Sequence, residues 1–516
     1  MKSRYSLTPY LLPSIADFIF FFLFLSLSMT QGKKLLNDGD TGYHVTIGEY
    51  ILDHLTVPTV DVFRFISPPI PWTPHEWLSE LIMALIHRWS GISGIVVFFS
   101  FLLALTYYVY FRILRVSSHD ILLAVFFSVL VATTSNLHWL ARPHVLTLLI
   151  FTVWYGLLRH MQKGGDIQWY WFPLLMLFWV NLHGGYIAGF LLLGTYLCGN
   201  IWDAFTFSED NRIKAINRIK RIAGVFFLCL ITTMFNPVGY KVLLIPFKLV
   251  ADGYMTNNVA EYLSPNFHEP MIFKYVLLGM LLILLLSINK TDKVDVITLL
   301  FFTNMALYSV RHIPLFALIA APVMLSHAES LLAGAPASFK AFLLRRTENI
   351  TRVDSGTRGC LWVLLPFIIV MSLLFTGKIK WNFDDTKKPL AAVEFIKNNH
   401  ISGNMFNDDE FGDFVIYLAH KEYKVFYDGR MDMDGPNILK EYNKVTNLEP
   451  GWEDVFKKYN ISWVFYGANS RLTSALRQSS KWKLIYSDKV ANILVRNIPE
   501  YKHLIDRFEI LMIANR

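Results

Sequence analysis

The sequence predicts a polytopic α-helical membrane protein of about eleven transmembrane helices that carries a C-terminal extracytoplasmic α/β domain. Three observations predict it. Apolar runs of roughly 15 to 22 residues, the length that crosses a bilayer core, recur along the first three quarters of the chain. Lys and Arg collect in alternate loops between those runs. After Trp381 the long apolar runs stop, and short helix-like and strand-like stretches take over.

Composition agrees. The 516 residues are 54% hydrophobic and only 17% charged, with 41 Phe and a mean hydropathy of +0.38, above ordinary globular usage. The net charge of +8 is explained by cytoplasmic loops and implies no nucleic-acid partner; the partner is the lipid bilayer. The three cysteines, Cys198, Cys229 and Cys360, all sit in apolar runs, which excludes a disulfide framework or a zinc site in the soluble parts.

The runs fall near 11–30, 94–114, 119–136, 143–159, 169–183, 186–205, 222–236, 273–288, 295–310, 313–329 and 359–377. The first is longer than a signal-peptide core and lacks a small-residue cleavage site, so it reads as a retained span. With the N-terminus cytoplasmic, the inner loops hold Arg112, Arg115, Arg159, Lys163, the cluster from Arg212 to Arg221, Lys290, Lys293 and the run from Lys340 to Arg358. The outer loops hold far fewer cations. An odd number of spans then places the C-terminal domain outside. The expected division is a transmembrane module, 1–380, whose first outer loop is 31–93, followed by a soluble domain, 381–516.

That orientation puts seven polar signatures on the outer face: N-D-G-D-x-x-x-H (37–44), H-E-W-L-S-E (75–80), L-A-R-P-H (140–144), W-V-N-L-H-G-G (179–185), F-N-P-V-G-Y (235–240), A-E-Y-L-S-P (260–265) and S-V-R-H-I-P (309–314). Ionisable groups gathered at one membrane surface point to a one-sided site.

Within the first outer loop, Val45, Ile47, Ile51 and Leu52 follow helical spacing, so 43–55 is expected to be a helix with Asn37 or Asp38 as its N-cap. A helix starting early enough would place Asp40 and His44 on one face. Pro58, Pro68, Pro69 and Pro71 interrupt the middle, and 77–89 is amphipathic with a Trp at each end, suited to lying in the interface. In the C-terminal part, helices are expected at 389–398, 437–444, 453–458 and 472–478. Strands are expected at 403–407, 424–428, 462–466, 482–486 and 493–496, in a largely parallel sheet. No G-x-G-x-x-G, internal repeat or low-complexity tract is present.

Each candidate residue has a functional and a plain reading. Asp38 and Asp40 would be a general base for an acceptor hydroxyl, with a divalent metal as a possible aid, or a helix cap and a solvated acid. Arg142 with His144, and Arg311 with His312, would bind phosphate, Arg by its two-pronged guanidinium, or would snorkel to the interface. His75 and Glu76 open no H-E-x-x-H, because position 79 is Ser79; they are structural or line the same outer cavity. Asn181 and His183 form a packed pair or contact substrate, and Asn236 and Glu261 carry a weaker signal. Asp428, Arg430, Asp432 and Asp434 read as an Asp–Gly turn, since no Glu completes a calcium loop.

With these motifs in view, the chain resembles the GT-C superfamily of membrane glycosyltransferases, which includes protein O-mannosyltransferases, aminoarabinose transferases and oligosaccharyltransferase catalytic subunits. The resemblance rests on the polytopic module, the acidic pair that opens a long first outer loop, the interfacial helices and the outer C-terminal domain. It is most specific to a bacterial subgroup with D-x-D-x-G-x-H, H-E-W-L-S-E, R-P-H, N-x-H-G-G, R-H-I-P-L-F and V-F-Y-D-G-R.

The resemblance implies a GT-C-like fold in a bacterial inner membrane and a donor sugar carried on a polyprenyl phosphate. It further implies transfer with inversion to an extracytoplasmic glycan, lipid or protein. Asp38 or Asp40 would be the base. His44, His75, Glu76, Arg142, His144, His183, Arg311 and His312 would line the substrate and phosphate site. Gly39, between the two acids where relatives often have an adjacent D-E pair, leaves open which carboxylate acts and whether a divalent metal joins it. Two further readings stand beside this one. A transporter or flippase of lipid-linked substrate would be expected to show repeats and charged or broken helices at the bilayer midplane. A non-catalytic assembly factor for envelope polysaccharide would keep the fold alone.

Overall fold

The computed structural model describes residues 12–118, 120–206, 208–251, 253–357, 361–430, 433 and 436–514. The chain divides into two compact units. The first comprises Met1–Gly32, Ser93–Phe247 and Thr256–Lys380, and the second Lys33–Ile92, Lys248–Met255 and Trp381–Arg516. The first loop, 33–92, therefore packs with the C-terminal segment, although most of the apolar helices separate them in sequence.

All eleven apolar runs overlap helices: Ile15–Thr30, Trp77–Ser117, Ile121–Ser135, His144–Gln162, Trp171–Leu182, Ile187–Thr206, Glu209–Thr232, Ile272–Leu286, Lys293–Tyr308, Ile313–Ala333 and Leu361–Phe375. Among the described residues, five helical stretches are long and apolar enough to cross a membrane and four apolar helices are shorter. Exposed Phe22, Phe227, Leu282 and Leu285 cover helix surfaces with apolar groups that only lipid would accommodate. The protein is an integral membrane protein.

Helix starts in the first unit follow from local chemistry. Ser14 and Asp17 form a capping box for Ile15–Thr30, and the Asp120 carboxylate accepts from Leu122 and Leu123 to start Ile121–Ser135. The long stretch Trp77–Ser117 breaks at Gly91, whose φ of 62° and ψ of −162° are non-helical. This separates the amphipathic segment before it from the apolar span after it.

In the second unit the first-loop helix runs Asp40–His54, starting earlier than the apolar spacing suggested. Gly39 holds the N-cap position without a side-chain cap, and the Asp38 carboxylate instead accepts the Asp40 amide at 3.1 Å. Gly42 and Gly48 let this helix lie close to its neighbours. A Cβ on Gly42 would meet Tyr417 Cβ at 2.8 Å, and one on Gly48 would meet the Glu80 carbonyl oxygen at 2.0 Å.

The sheet has four strands, β1 Asn404–Asn407, β2 Ile461–Gly467, β3 Trp482–Ser487 and β4 Ala491–Arg496, in the order β1-β2-β4-β3. Only β1 and β2 are parallel; β4 runs antiparallel to both β2 and β3. The expected largely parallel sheet is thus mixed. β3 and β4 follow each other through a tight turn closed by the Asp488 carboxylate, which accepts from the Val490 and Ala491 amides at 2.7 Å each, and such a connection forces antiparallel pairing.

The expected strand at 424–428 joins no sheet. Val425 forms a lone bridge with Arg64 of the first loop; its amide donates to Phe63 O at 3.0 Å, and its carbonyl accepts from the Phe65 amide at 3.3 Å. A helix not anticipated from sequence, Asp409–Ala419, packs on Asp40–His54. Asp432, Asp434 and Cys360 lie outside the described residues.

Candidate active site

The acidic pair sits at the start of Asp40–His54, where the free amides of a helix N-terminus favour negative charge. Asp40 is 9% exposed, whereas Asp38 is only partly buried. One turn on, His44 is buried and its Nδ1 lies 3.1 Å from the Glu80 carboxylate, also buried. Asp40 and His44 therefore occupy one face of one helix. His75 and Glu76 pair with each other at 3.4 Å, and Ser79 donates from its hydroxyl to Glu76 O at 2.7 Å.

A third carboxylate joins Asp40. Asp413, on the unanticipated helix Asp409–Ala419, is 2% exposed and accepts the Gly429 amide at 3.0 Å. A Cβ built on Gly429 would stand 2.6 Å from Asp40 Oδ1 and 3.2 Å from Asp413 Oδ2, so both carboxylates close on one point above this glycine. Burial, reinforced by the charges of Asp40 and Asp428, pushes the Asp413 carboxyl well above the usual range. The neighbouring Glu410 pairs with Lys388, whose ammonium also donates to Asn37 O at 3.2 Å.

Gly429 is itself held by a buried ionic network. Arg430 grips Asp428 with two hydrogen bonds of 2.8 Å and reaches Asp61 at 2.9 Å. Arg64 donates to Asp428 at 2.7 Å, and all four side chains are at most 2% exposed. Burial alone would raise the Asp428 carboxyl, but the Arg430 and Arg64 guanidiniums outweigh it and hold the group far below the usual range. The plain Asp–Gly turn read from V-F-Y-D-G-R is thus the centre of a charge network joining the C-terminal segment to the proline-rich part of the first loop.

Among the described residues, no three or more His, Cys, Asp or Glu side chains come together as a metal site. Asp38 and Asp40, the pair expected to hold any divalent ion, are not part of such a group.

In the first unit, Arg142 and Arg311 meet on one acid. Arg142 donates to Glu261 Oε1 at 2.7 Å, and Arg311 Nε lies 3.9 Å from Glu261 Oε2. Arg311 also donates to the Tyr262 hydroxyl at 2.8 Å and stacks over its ring. The turns carrying these groups are strapped together: Ser309 Oγ donates to Glu261 O at 2.9 Å and the Val310 amide to Leu263 O at 3.0 Å. Burial would raise the Glu261 carboxyl, yet the two guanidiniums prevail and hold it well below the usual range.

The histidines of this unit are fixed in place. His138 Nε2 donates to Val310 O at 3.0 Å, and His144 Nε2 donates to His138 O at 2.6 Å. His183 Nδ1 accepts from the Gly185 amide at 2.9 Å and faces the Thr147 hydroxyl at 2.8 Å, which in turn accepts from Trp179 Nε1 at 2.8 Å. The His183 Nδ1 is thus an acceptor inside the first unit. His312, half-buried, directly precedes the helix Ile313–Ala333.

Sequence reasoning missed Asp413, because a single acid inside D-E-F-G-D-F-V has no motif around it. It also missed the pairing of Arg64 and Asp61 with Asp428 and Arg430, and gave Glu261 little weight.

No protein-family model matches the chain, and no curated protein is detectably similar in sequence. Solved structures are similar in fold. The archaeal oligosaccharyltransferase AglB from Archaeoglobus fulgidus, in complex with an inhibitory peptide and a dolichol-phosphate, superposes with a TM-score of 0.55 at 11% identity, over 94% of this chain and 74% of that one. A structure of the Archaeoglobus fulgidus oligosaccharyltransferase in the apo form gives 0.52 at 12% identity, over 90% and 70%. ArnT from Cupriavidus metallidurans, bound to undecaprenyl phosphate, aligns over 93% and 98% at 11% identity with a TM-score of 0.48. At 11–12% identity the two oligosaccharyltransferase structures share the architecture alone with this chain, which has a GT-C-like fold.

Proposed function

We propose that the protein is a membrane glycosyltransferase that moves a sugar from a polyprenyl phosphate to an extracytoplasmic acceptor (a glycan, a lipid or a protein) with inversion. The observation that carries this reading is the GT-C-like fold combined with a carboxylate, Asp40, buried at the N-terminus of the first long outer-loop helix. Asp40 is the general base that takes the acceptor hydroxyl proton, and Asp38 supports the helix start through the Asp40 amide. Arg142 and Arg311 stabilise the phosphate leaving group, which gains charge as the glycosidic bond breaks. The N-terminus is cytoplasmic in a bacterial inner membrane, and residues 381–516 face outside.

The test is direct. Purified protein in lipid nanodiscs is incubated with a panel of undecaprenyl-phosphate sugars and an acceptor extract, and release of undecaprenyl phosphate is followed. Wild type should release it from at least one donor, and Asp40→Asn should release at least about 100-fold less. Movement of intact donor across a liposome bilayer without cleavage would favour a transporter instead.

A further inference from the structure

A buried base needs a way to be emptied. Asp40 is 9% exposed, and the proton it takes from a hydroxyl must leave before it can act again. Asp413, which closes on the same point above Gly429, already holds its own proton tightly. The helix that carries Asp40 offers another group. His44 lies one turn on, and residues at this spacing share a face with Cβ atoms about 5–6 Å apart.

A neighbouring helix fixes His44 to a carboxylate. At Gly48, one further turn along, a Cβ would stand 2.0 Å from Glu80 O and 2.7 Å from Ala84 Cβ. That close approach of backbones brings the Glu80 side chain onto His44, with Oε1 3.1 Å from Nδ1. The two side chains are 2% and 6% exposed. Among the described residues, Glu80 Oε2 is buried without a hydrogen-bond partner. A buried carboxylate so short of donors gains from positive charge arriving beside it. The contact uses Nδ1 and leaves Nε2 outside it.

We propose that Glu80 is a positioning residue that keeps the His44 hydrogen on Nδ1, so that His44 Nε2 receives the proton Asp40 takes from the acceptor hydroxyl. The step is a proton transfer alone. The O–H bond on Asp40 breaks and an Nε2–H bond forms. The imidazolium pairs with the Glu80 carboxylate until Nε2 releases its proton to water. The part of H-E-W-L-S-E that serves the reaction is then its second glutamate. This inference rests on the glycosyltransferase reading for the source of the proton, while the Glu80–His44 geometry stands apart from it.

Two measurements on the full chain in nanodiscs separate the geometry from the reaction. In the first, the histidines are labelled with nitrogen-15, and the His44 signal is identified by its loss in His44→Gln. It should show the hydrogen on Nδ1. A hydrogen on Nε2 alone would make Glu80 the donor, which overturns the inference. In the second, transfer from the undecaprenyl-phosphate sugars is followed for wild type, Glu80→Gln, His44→Gln and the double variant, with each thermal midpoint recorded. Glu80→Gln keeps the shape and an oxygen for Nδ1 but removes the charge that holds the imidazolium. Its kcat should fall about tenfold or more, while kcat/KM stays within about twofold, because emptying Asp40 follows the committed transfer. The double variant should be no slower than His44→Gln. If Glu80→Gln does not fold, His44→Gln carries the comparison, with the same split expected. An equal fall in kcat and kcat/KM, or no fall in kcat, overturns the inference and leaves the pair as helix packing. If wild type transfers from no donor, the glycosyltransferase reading fails, and the position of the hydrogen alone decides whether Glu80 positions His44.

Discussion

Asp40 and Asp413 lie on different helices, one from the first loop and one from the C-terminal segment, and their carboxylates close on the same point above Gly429. Neither helix alone makes this pair, and the absence of a side chain on Gly429 is what leaves room for both carboxylates there.

Gly429→Ala should therefore act through Asp40. A methyl group 2.6 Å from Asp40 Oδ1 and 3.2 Å from Asp413 Oδ2 cannot be accommodated without moving a carboxylate. Overpacking of this kind costs about 1–3 kcal/mol, so the variant should melt several degrees lower and lose transfer, both measurable on one preparation.

The two acids of the first loop should separate in a kinetic assay. Asp40→Asn should reduce turnover by at least about 100-fold with little change in thermal midpoint. Asp38→Asn keeps an oxygen that can accept the Asp40 amide and should retain activity within about tenfold of wild type. A larger loss in Asp38→Asn would move the base assignment to Asp38.

Asp413 predicts a pH dependence with a definite sign. Its carboxyl is raised in the folded protein, so it binds its proton more tightly folded than unfolded. The stability this confers is fully present below the ordinary carboxylate pKa of about 3.9 and is lost as pH rises through the raised value. Asp413→Asn removes that loss. Its melting advantage over wild type should be near zero at about pH 4 and grow towards pH 8, by about 1.4 kcal/mol for every factor of ten by which folding tightens the hold on the proton. An advantage that shrinks with rising pH would contradict the raised carboxyl.

Arg430 should be a stability residue first. Arg430→Ala leaves Asp428 and Asp61 buried with one cation, Arg64, nearby, and breaking a buried pair in this way costs about 3–5 kcal/mol. Arg430→Lys keeps the charge but loses the two-pronged grip on Asp428 and should recover only part of it. Thermal melts in nanodiscs, with limited proteolysis of the 56–72 segment, would measure both effects.

The helices under the apolar runs, of which five are long and apolar enough to cross a membrane among the described residues, and most short elements of the C-terminal segment were legible in the sequence because hydrophobic length and periodicity are local signals. The acidic opening of the first loop was legible too, and the helix does begin early enough to put Asp40 beside His44. What sequence could not show is pairing over long separations. The stretch 424–428 has strand composition, but its partner is Arg64 of the first loop rather than the sheet. Asp413 becomes a partner of Asp40 only once two helices pack through Gly42 and Tyr417. Arg142 and Arg311 read as a phosphate pair, and the acid they share, Glu261, lies in a turn with no pattern to mark it.

The charge network of Asp61, Arg64, Asp428 and Arg430 also sets an order of assembly. The first loop is synthesised early, and Asp61 and Arg64 then wait while the remaining apolar helices are made. Asp428 and Arg430 arrive only with the last part of the chain. Until then the loop carries charges that have no buried counterpart, and the site around Asp40 is unfinished. A chain stopped short of residue 428 would carry every apolar helix and still lack Gly429 and the charges that hold it, so the surroundings of Asp40 depend on residues made after all of those helices.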